Sequence, residues 1–324
     1  MANCHKLFKD FNGEGYLLVP QSKIDNLEAS DENVRTEIRD YFQENHPNYV
    51  PKFYRQGSNE MGTMVRTKDD TCDLDDGVYF KSNPDNVSCS TLQKWVKEAV
   101  DGITDSTPSH RKKCITVDFK SGYNIDLPVL LFDKSIDLHP KLAVKDGDFI
   151  EDDPKEFFKY FNKIASAQLI RIIRYLKAWC DFKKAKMPSG LALTILAMDN
   201  FQKNDRDDVA MKYTLIEIEN SLTANFQCVM PTTPKDDLFK DFDKTQKEGE
   251  RKTRKDNFLD SLSTFITDAK SAVDEEKNQL KASRLWQKHL GNRFPDGEDK
   301  DEEEVRTASL VGTIGNQKPF YESR

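Results

Sequence analysis

The stretch Asp73-Leu74-Asp75-Asp76-Gly77-Val78-Tyr79-Phe80 decides the fold of this chain. A polar turn at residues 68–71 precedes it, and its second half is apolar, which predicts a β-strand. Because successive side chains of a strand point to opposite faces, Asp73 and Asp75 share one face while Leu74 points into the core. The stretch therefore predicts a strand that presents two carboxylates on the same side.

A third acid lies downstream, in Ile125-Asp126-Leu127. An ionised aspartate within an apolar strand is unfavourable unless it is paired or bound to a metal. Two strands are predicted here, at residues 114–119 and 123–132, separated by the turn Ser121-Gly122. If the second of them pairs beside residues 73–80, three carboxylates converge, and carboxylate oxygens are the ligands that Mg²⁺ prefers.

The Asp-x-Asp spacing by itself is weak evidence, because it recurs in this acidic chain. Four other copies lie in polar, loop-like contexts, and we expect them at the surface: Asp146/Asp148, Asp205/Asp207, Asp241/Asp243 and Asp299/Asp301. The strand context distinguishes Asp73 and Asp75 from these copies, as does the turn Gly57-Ser58 upstream.

Gly57-Ser58 precedes a helix-compatible segment at residues 59–65. Glycine lets the backbone approach a phosphate closely, and a helix N-terminus offers free N–H groups. A Gly-Ser pair alone is more often a simple turn. Its place shortly before a strand with two aligned acids favours phosphate binding.

The chain divides into two predicted halves. The first, residues 1–145, is mixed α and β, with helices at residues 30–45, capped by Ser30, and 91–100. The segment 137–154 is polar and marks the boundary, after which Asp153 caps a helix that begins at Pro154. The second half, residues 150–295, is mainly helical, with apolar stripes at 165–180, 191–201 and 258–273. Residues 296–324 form an acidic tail that we expect to be mobile.

Composition excludes several classes of protein. The net charge of −7 disfavours a protein whose main task is to bind DNA or RNA, which needs a basic surface. No apolar run is long enough to span a membrane, and the N-terminus lacks a secretory signal, so we expect a cytoplasmic protein. The six cysteines are spaced singly, which predicts free thiols rather than a zinc site or disulfides.

The motifs Gln56-Gly57-Ser58, Asp73-Leu74-Asp75-Asp76-Gly77-Val78-Tyr79 and Ile125-Asp126-Leu127 together resemble the polymerase-β-like nucleotidyltransferases. More narrowly, they resemble the cGAS/DncV-like group (CD-NTases), bacterial synthases of cyclic oligonucleotides in antiphage (CBASS) signalling. The resemblance continues through residues 174–179, 231–238 and 286–295. It implies an α+β fold, in which a nucleotidyltransferase core packs against a C-terminal helical domain like that of the oligoadenylate synthetases.

The resemblance also implies roles for particular residues. Asp73, Asp75 and Asp126 would be the catalytic residues and hold two Mg²⁺ ions, or Mn²⁺ in their place. Five residues would bind the donor triphosphate: Gln56, Gly57, Ser58, Lys177 and Ser189. Lys177 and Ser189 would reach it from the helical domain, although from sequence alone Lys177 is a solvated lysine and Ser189 a helix cap.

Partners follow from the same resemblance. The substrates would be nucleoside triphosphates, with ATP among them, and a downstream effector would bind the product. The zinc insertion of the animal synthases is missing, which argues against activation by DNA or RNA, and no membrane partner is expected. A ubiquitin-like transfer enzyme could act on the C-terminal tail, as it does in relatives.

Three hypotheses compete. The first is template-independent, Mg²⁺-dependent synthesis of a cyclic di- or trinucleotide, with release of pyrophosphate. The second is a polynucleotide-tailing enzyme of the poly(A) polymerase or tRNA nucleotidyltransferase type, which the negative charge disfavours. The third is a catalytically inactive scaffold on the same fold, which the presence of all three aspartates disfavours.

Overall fold

The computed structural model describes residues 1–183, 187–244 and 252–301. One mixed sheet of eight strands lies in the first half of the chain, in the order β3-β4-β5-β2-β6-β7-β8, with β1 paired to β2. The strands are β1 (Lys52–Gln56), β2 (Cys72–Phe80), β3 (Ser109–His110), β4 (Ile115–Phe119), β5 (Tyr123–Leu127), β6 (Val129–Leu131), β7 (Lys141–Ala143) and β8 (Phe149–Glu151).

Strand β2 is the centre of the sheet. It runs parallel to β5 and β6 and antiparallel to β1. Leu74 on β2 and Ile125 on β5 are register neighbours, and both are fully buried. The face that carries them is therefore the core face of the sheet, as the alternation in the sequence predicts.

The helices fall into two groups. In the first half, α2 (Gln21–Asn45) and α4 (Cys89–Ala99) pack on the sheet, and α3 (Gly57–Glu60) is a single turn. The others are α1 (His5–Phe11), α5 (Pro154–Ile164), α6 (Ala167–Lys183), α7 (Gly190–Asn200), α8 (Asp207–Ala224), α9 (Arg254–Lys270), which continues into a π-helical turn (Ser271–Glu275), and α10 (Gln279–Leu290).

The second group shares one large apolar core. Side chains of α5 to α10 form it together with Phe8 and Phe11 of α1, so the N-terminus packs with the helical half of the chain. Asp153 caps α5 by accepting a hydrogen bond from the Glu156 N–H, and Pro154 occupies the first turn, as predicted. The division at residues 145–150 stays a prediction; the described sheet continues to Glu151.

Three local predictions are wrong. Helix α2 begins at Gln21 rather than at residue 30, so Ser30 lies inside the helix. The helix expected at residues 59–65 is only the turn Gly57–Glu60. Pro128 divides the long strand expected at residues 123–132, because proline lacks the N–H that a central strand needs. The polar segment 137–154, which marks the predicted boundary, contains β7 and β8.

A further error concerns Asp207, which the sequence places at the surface. It lies in the first turn of α8 and is fully buried, as is its neighbour Asp208. Acidic side chains stabilise the first turn of a helix, and pairing with the partly buried Arg171 and Arg206 allows Asp207 and Asp208 to be buried.

Other predictions can be compared directly. All six cysteines are free, and five of them are buried. None of the helices in the described ranges is both long and apolar enough to cross a membrane. The predicted tail at residues 296–324 lies mostly outside the described residues, which end at Asp301.

Candidate active site

The three predicted carboxylates share one face of the sheet. Strands β2 and β5 are parallel, with Asp75 beside Asp126 and Asp73 beside Asn124 in register. Asp73 is exposed to solvent, whereas Asp75 and Asp126 are partly buried. The structure therefore brings together residues that lie about fifty positions apart in sequence.

Mutual repulsion shapes the electrostatics of this cluster. Burial, together with the charges of Asp126 and Asp73, raises the pKa of Asp75 to about 7. The Asp73 side chain reaches solvent, but desolvation by the surrounding protein still raises its pKa, again with a contribution from the charge of Asp126. Carboxylates that are held together against their own repulsion favour a bound cation, which would stabilise all of them in the ionised form.

Two polar neighbours orient the carboxylates, and the sequence reasoning missed both. The Thr116 hydroxyl on β4 donates to Asp126 Oδ1. The Asn124 amide, oriented with its nitrogen toward β2, donates to Asp73 Oδ1 at 3.1 Å. The signal for Asn124 was available, because a residue two positions before Asp126 on one strand shares its face.

The turn Gly57-Ser58 lies directly against the carboxylates. Strand β1 ends at Gln56, which is the register partner of Asp75, and Gly57 follows with φ +69°. A Cβ at position 57 would overlap Asp75 Oδ2, so both the backbone conformation and the contact require glycine. The absence of a side chain here thus allows a backbone turn suited to phosphate to approach the acidic cluster.

Lys177 reaches the same place from the helical half of the chain. It lies on α6, and its Nζ donates to the carbonyl and the hydroxyl of Thr63, both at 3.1 Å. Burial lowers the pKa of Lys177 to about 8, although the charges of Asp73 and Asp75 raise it. The side chain is therefore not a solvated surface lysine; it is a cation directed at the carboxylates.

Ser189 has a different environment. It caps α7 by accepting a hydrogen bond from the Ala192 N–H at 3.2 Å, as its sequence context predicts. Its neighbours Pro188 and Gly190 line the cleft, whereas Ser189 itself does not. A role for Ser189 in triphosphate binding stays a prediction.

A cleft of about 600 Å³ lies between the sheet and the helical half. This volume is in the range of roughly 300–1,000 Å³ that is typical of small-molecule sites. Its floor is polar, with Gln56, Ser58, Asp73, Asp75 and Lys177. Its walls are largely apolar, and include Met61, Met64, Val65, Phe157, Phe158, Met187, Leu191, Leu193 and Met230. An apolar wall above a charged floor suits a ligand with a flat ring at one end and phosphates at the other.

A second polar cluster lies at the rim of this cleft. Within the described ranges, His139, Asp153 and Glu156 are the residues whose potential ligand atoms all lie within 4.8 Å of one another. His139 contacts Asp153 at 3.2 Å, and its other ring nitrogen lies 3.3 Å from the Thr233 hydroxyl. Hydrogen bonds therefore already satisfy this cluster, and they join the loop before β7 to the start of α5.

Comparisons with known proteins agree with this geometry. Residues 51–130 match the family model for the nucleotidyltransferase domain of DncV-like cyclic GMP-AMP synthases. The chain is 26% identical over 186 residues to the cyclic GMP-AMP synthase of Escherichia albertii. That match covers 52% of this chain and 41% of the relative, which is less than half of the relative's length.

Solved structures extend the likeness to most of the chain. The Vibrio cholerae DncV cyclic AMP-GMP synthase superposes with a TM-score of 0.71 at 17% identity, covering 91% of this chain and 98% of that one. Its complex with the linear intermediate 5′ pppA(3′,5′)pG gives a TM-score of 0.76 at 19% identity, with the same coverage. At these identities the likeness establishes the fold. Residues 51–130 thus match a DncV-like nucleotidyltransferase domain, and the chain has an α+β fold similar to that of DncV over most of its length.

Proposed function

We propose that this protein joins nucleoside triphosphates into a cyclic di- or trinucleotide, without a template and with release of pyrophosphate. The observation that supports the proposal is that Asp73 and Asp75 line one cleft with the Gly57-Ser58 turn and Lys177, while Asp126 lies beside Asp75 in strand register. The relatives named above are described as cyclic GMP-AMP synthases, so adenine and guanine nucleotides are the first substrates to test.

The residues fit divalent cations, because carboxylates are hard oxygen ligands and Asp73 and Asp75 line the cleft, with Asp126 next to Asp75 on the neighbouring strand. Asp73, Asp75 and Asp126 would hold two Mg²⁺ ions. When bound, such ions stabilise the charge that develops on the attacking and leaving oxygens of a phosphoryl transfer.

The residues of the chain would supply position and charge. The backbone turn at Gly57-Ser58 and the Gln56 side chain would hold the donor triphosphate against the carboxylates, and Lys177 would neutralise part of its charge from the opposite side. The acceptor hydroxyl would attack the α-phosphorus, its proton passing to Asp126. The bond between the α-phosphorus and the bridging oxygen would break, and pyrophosphate would leave. A second transfer of the same kind would close a dinucleotide ring, and a third would be needed to close a trinucleotide ring.

Incubation with ATP, GTP, CTP, UTP and Mg²⁺, followed by mass spectrometry, tests this function. We expect small products that resist phosphatase, from the wild type and from Asp40→Asn, a control at an exposed helical position. Asp73→Asn should abolish them while the circular dichroism spectrum stays unchanged. Full activity in Asp73→Asn would contradict the assignment. Extension of an added RNA primer would instead support a tailing enzyme.

A role in antiphage signalling in the cytoplasm extends the proposal to the cell. Cells that carry the wild-type gene and its neighbours should then resist phage infection, and cells with Asp73→Asn should not. The C-terminal residues that a ubiquitin-like transfer enzyme would modify lie outside the described residues, and this partner stays a prediction.

A further inference from the structure

The core face of the sheet carries charged residues directly behind the candidate active site. Asp76 follows Asp75 on β2, so its side chain points to the opposite face, and it is fully buried. Arg55 on β1 is its register partner, as Gln56 is the partner of Asp75. Each strand therefore has a site residue on one face and a charged residue on the other.

Helix α2 provides the partners of both charges. Arg35 makes a bidentate pair with Asp76, with Nε to Oδ2 at 2.7 Å and Nη2 to Oδ1 at 2.9 Å. One turn earlier, the fully buried Asp31 accepts from Arg55 Nε at 2.8 Å. Arg35 also lies 3.5 Å from Asp31, so the two pairs form one network.

The network joins strand β2 and the end of strand β1, which carry the two parts of the site, to helix α2. The pair Arg35–Asp76 holds the backbone of β2 at the position of Asp75. The pair Asp31–Arg55 holds the end of β1, from which Gln56 and Gly57 continue into the phosphate turn. Since the Asp75 carboxylate packs directly against Gly57, a small shift of either strand would disturb that contact.

We propose that Asp31, Arg35, Arg55 and Asp76 are positioning residues, and we call these four residues the charge clamp. The charge clamp sets the position of strand β2, which carries Asp73 and Asp75, relative to the phosphate turn at Gly57-Ser58. None of the four touches the substrate in this scheme. Two general properties of ion pairs argue against a role of these residues in stability alone. Buried ion pairs often contribute little net stability compared with apolar residues of similar size, whereas their geometry is strict. A bidentate pair fixes both distance and orientation.

This inference rests on the proposed function, and its test uses substitutions that separate fold from position. The double variant Arg35→Met/Asp76→Leu removes both members of one ion pair, so neither is left as an unpaired charge. The other ion pair, between Asp31 and Arg55, remains. We expect unfolding by urea near that of the wild type, but a kcat lower by about 10- to 100-fold, as for the loss of groups that orient metal ligands. The Mg²⁺ concentration for half-maximal rate should rise as well.

A second variant guards against misfolding of the first. Arg35→Lys keeps the positive charge but cannot make the bidentate contact of a guanidinium group with Asp76. We expect about a tenfold loss of kcat with an intact fold. Arg39→Met is the matched control, because Arg39 lies one turn on in the same helix, is more exposed and pairs with Glu32. Its kcat should equal that of the wild type.

Two readouts distinguish failure of the clamp from failure of the proposed function. If folded Arg35→Lys keeps the wild-type kcat and Mg²⁺ dependence, the clamp is overturned while the function stands. If the wild type forms no product, the function fails, and Mn²⁺-dependent binding of a non-hydrolysable GTP analogue tests the clamp instead. Binding to Arg35→Lys should then be about tenfold weaker than to the wild type, whereas equal binding overturns the clamp.

Discussion

Two groups of aspartates in this molecule have opposite surroundings. Asp207, in the helical half, is fully buried and receives hydrogen bonds from the Arg171 guanidinium, Gln168 and Tyr175. Burial alone would raise its pKa, but the hydrogen bonds from Arg171 and Gln168 lower it below the usual value. Asp75, in the cleft, has Asp73, Asp126 and the single cation Lys177 as charged neighbours, and burial and the charges of the two aspartates raise its pKa to about 7.

The difference separates acids that stabilise the fold from the acids that we propose to be functional. A carboxylate that is fully paired inside the protein stabilises the fold, and removing it leaves an unpaired arginine. Carboxylates that the backbone holds close together without enough neighbouring positive charge repel one another in their ionised form. A bound cation would offset this repulsion. The two groups should therefore respond in opposite ways to substitution and to pH.

The largest expected effect is the loss of product formation on substitution of Asp75 in the cleft. Asp75→Asn should reduce product formation by about 10³-fold, because a lost metal ligand removes several kcal/mol of transition-state stabilisation. Its stability in EDTA should equal or exceed that of the wild type, since one repulsive charge is gone. Initial rates by mass spectrometry and urea unfolding measure the two quantities. A folded Asp75→Asn with wild-type rate would remove the distinction between the two groups.

The next effect concerns the structural group. Asp207→Ala should lower the free energy of unfolding by about 3–5 kcal/mol, because Arg171 loses its buried partner. The rate per folded molecule should change little, because Asp207 does not line the cleft. Urea unfolding measures the loss, with Asp205→Ala, at an exposed position nearby, as the control. A loss below about 1 kcal/mol would show that the pair contributes no more than a surface ion pair.

A smaller effect is expected for the cation that faces the cleft. Lys177→Met should raise KM for nucleoside triphosphates by about 10- to 100-fold, the range for a lost hydrogen bond to a charged group. Stability should be retained, because Met fills the enclosed space. The exposed Lys163→Met on the neighbouring helix is the control. An unchanged KM would place the triphosphate elsewhere in the cleft.

The smallest effect is the pH dependence of stability. The pKa of Asp75 is about 7 in the folded protein, against a usual value of 3.8, so the folded state binds a proton more readily than the unfolded state. In EDTA, the wild type should therefore gain stability relative to Asp75→Asn as the pH falls from about 8 to 6.

The dependence of stability on pH that Asp207 contributes has the opposite sign. Its folded pKa is lowered, so its contribution is present above the usual pKa of 3.8 and is lost as the pH falls through the folded value. The difference in melting temperature between each variant and the wild type, measured across the pH range, separates the two slopes. Parallel curves for wild type and Asp75→Asn between pH 8 and 6 would contradict the repulsion in the cleft.

Much of the site could be predicted because its signals are local. Alternation along β2 placed Asp73 and Asp75 on one face, and the apolar neighbours of Asp126 indicated that its charge needed compensation. The same reasoning failed for Asp207, since its burial depends on Arg171, which lies on another helix. The start of α2 was also misjudged, because Ser30 resembles a cap although Pro20 precedes the true first turn.

The sequence by itself determined that strands carry the three carboxylates, and it predicted the types of ligand and the class of chemistry, because propensity, alternation and motif spacing act over a few residues. Only the tertiary structure decided which charges meet. It placed Asp126 beside Asp75, directed Lys177 into the cleft and paired Arg35 with Asp76 behind it. Such contacts join residues tens to more than a hundred positions apart, and they depend on strand register and helix packing, which no short stretch of sequence encodes.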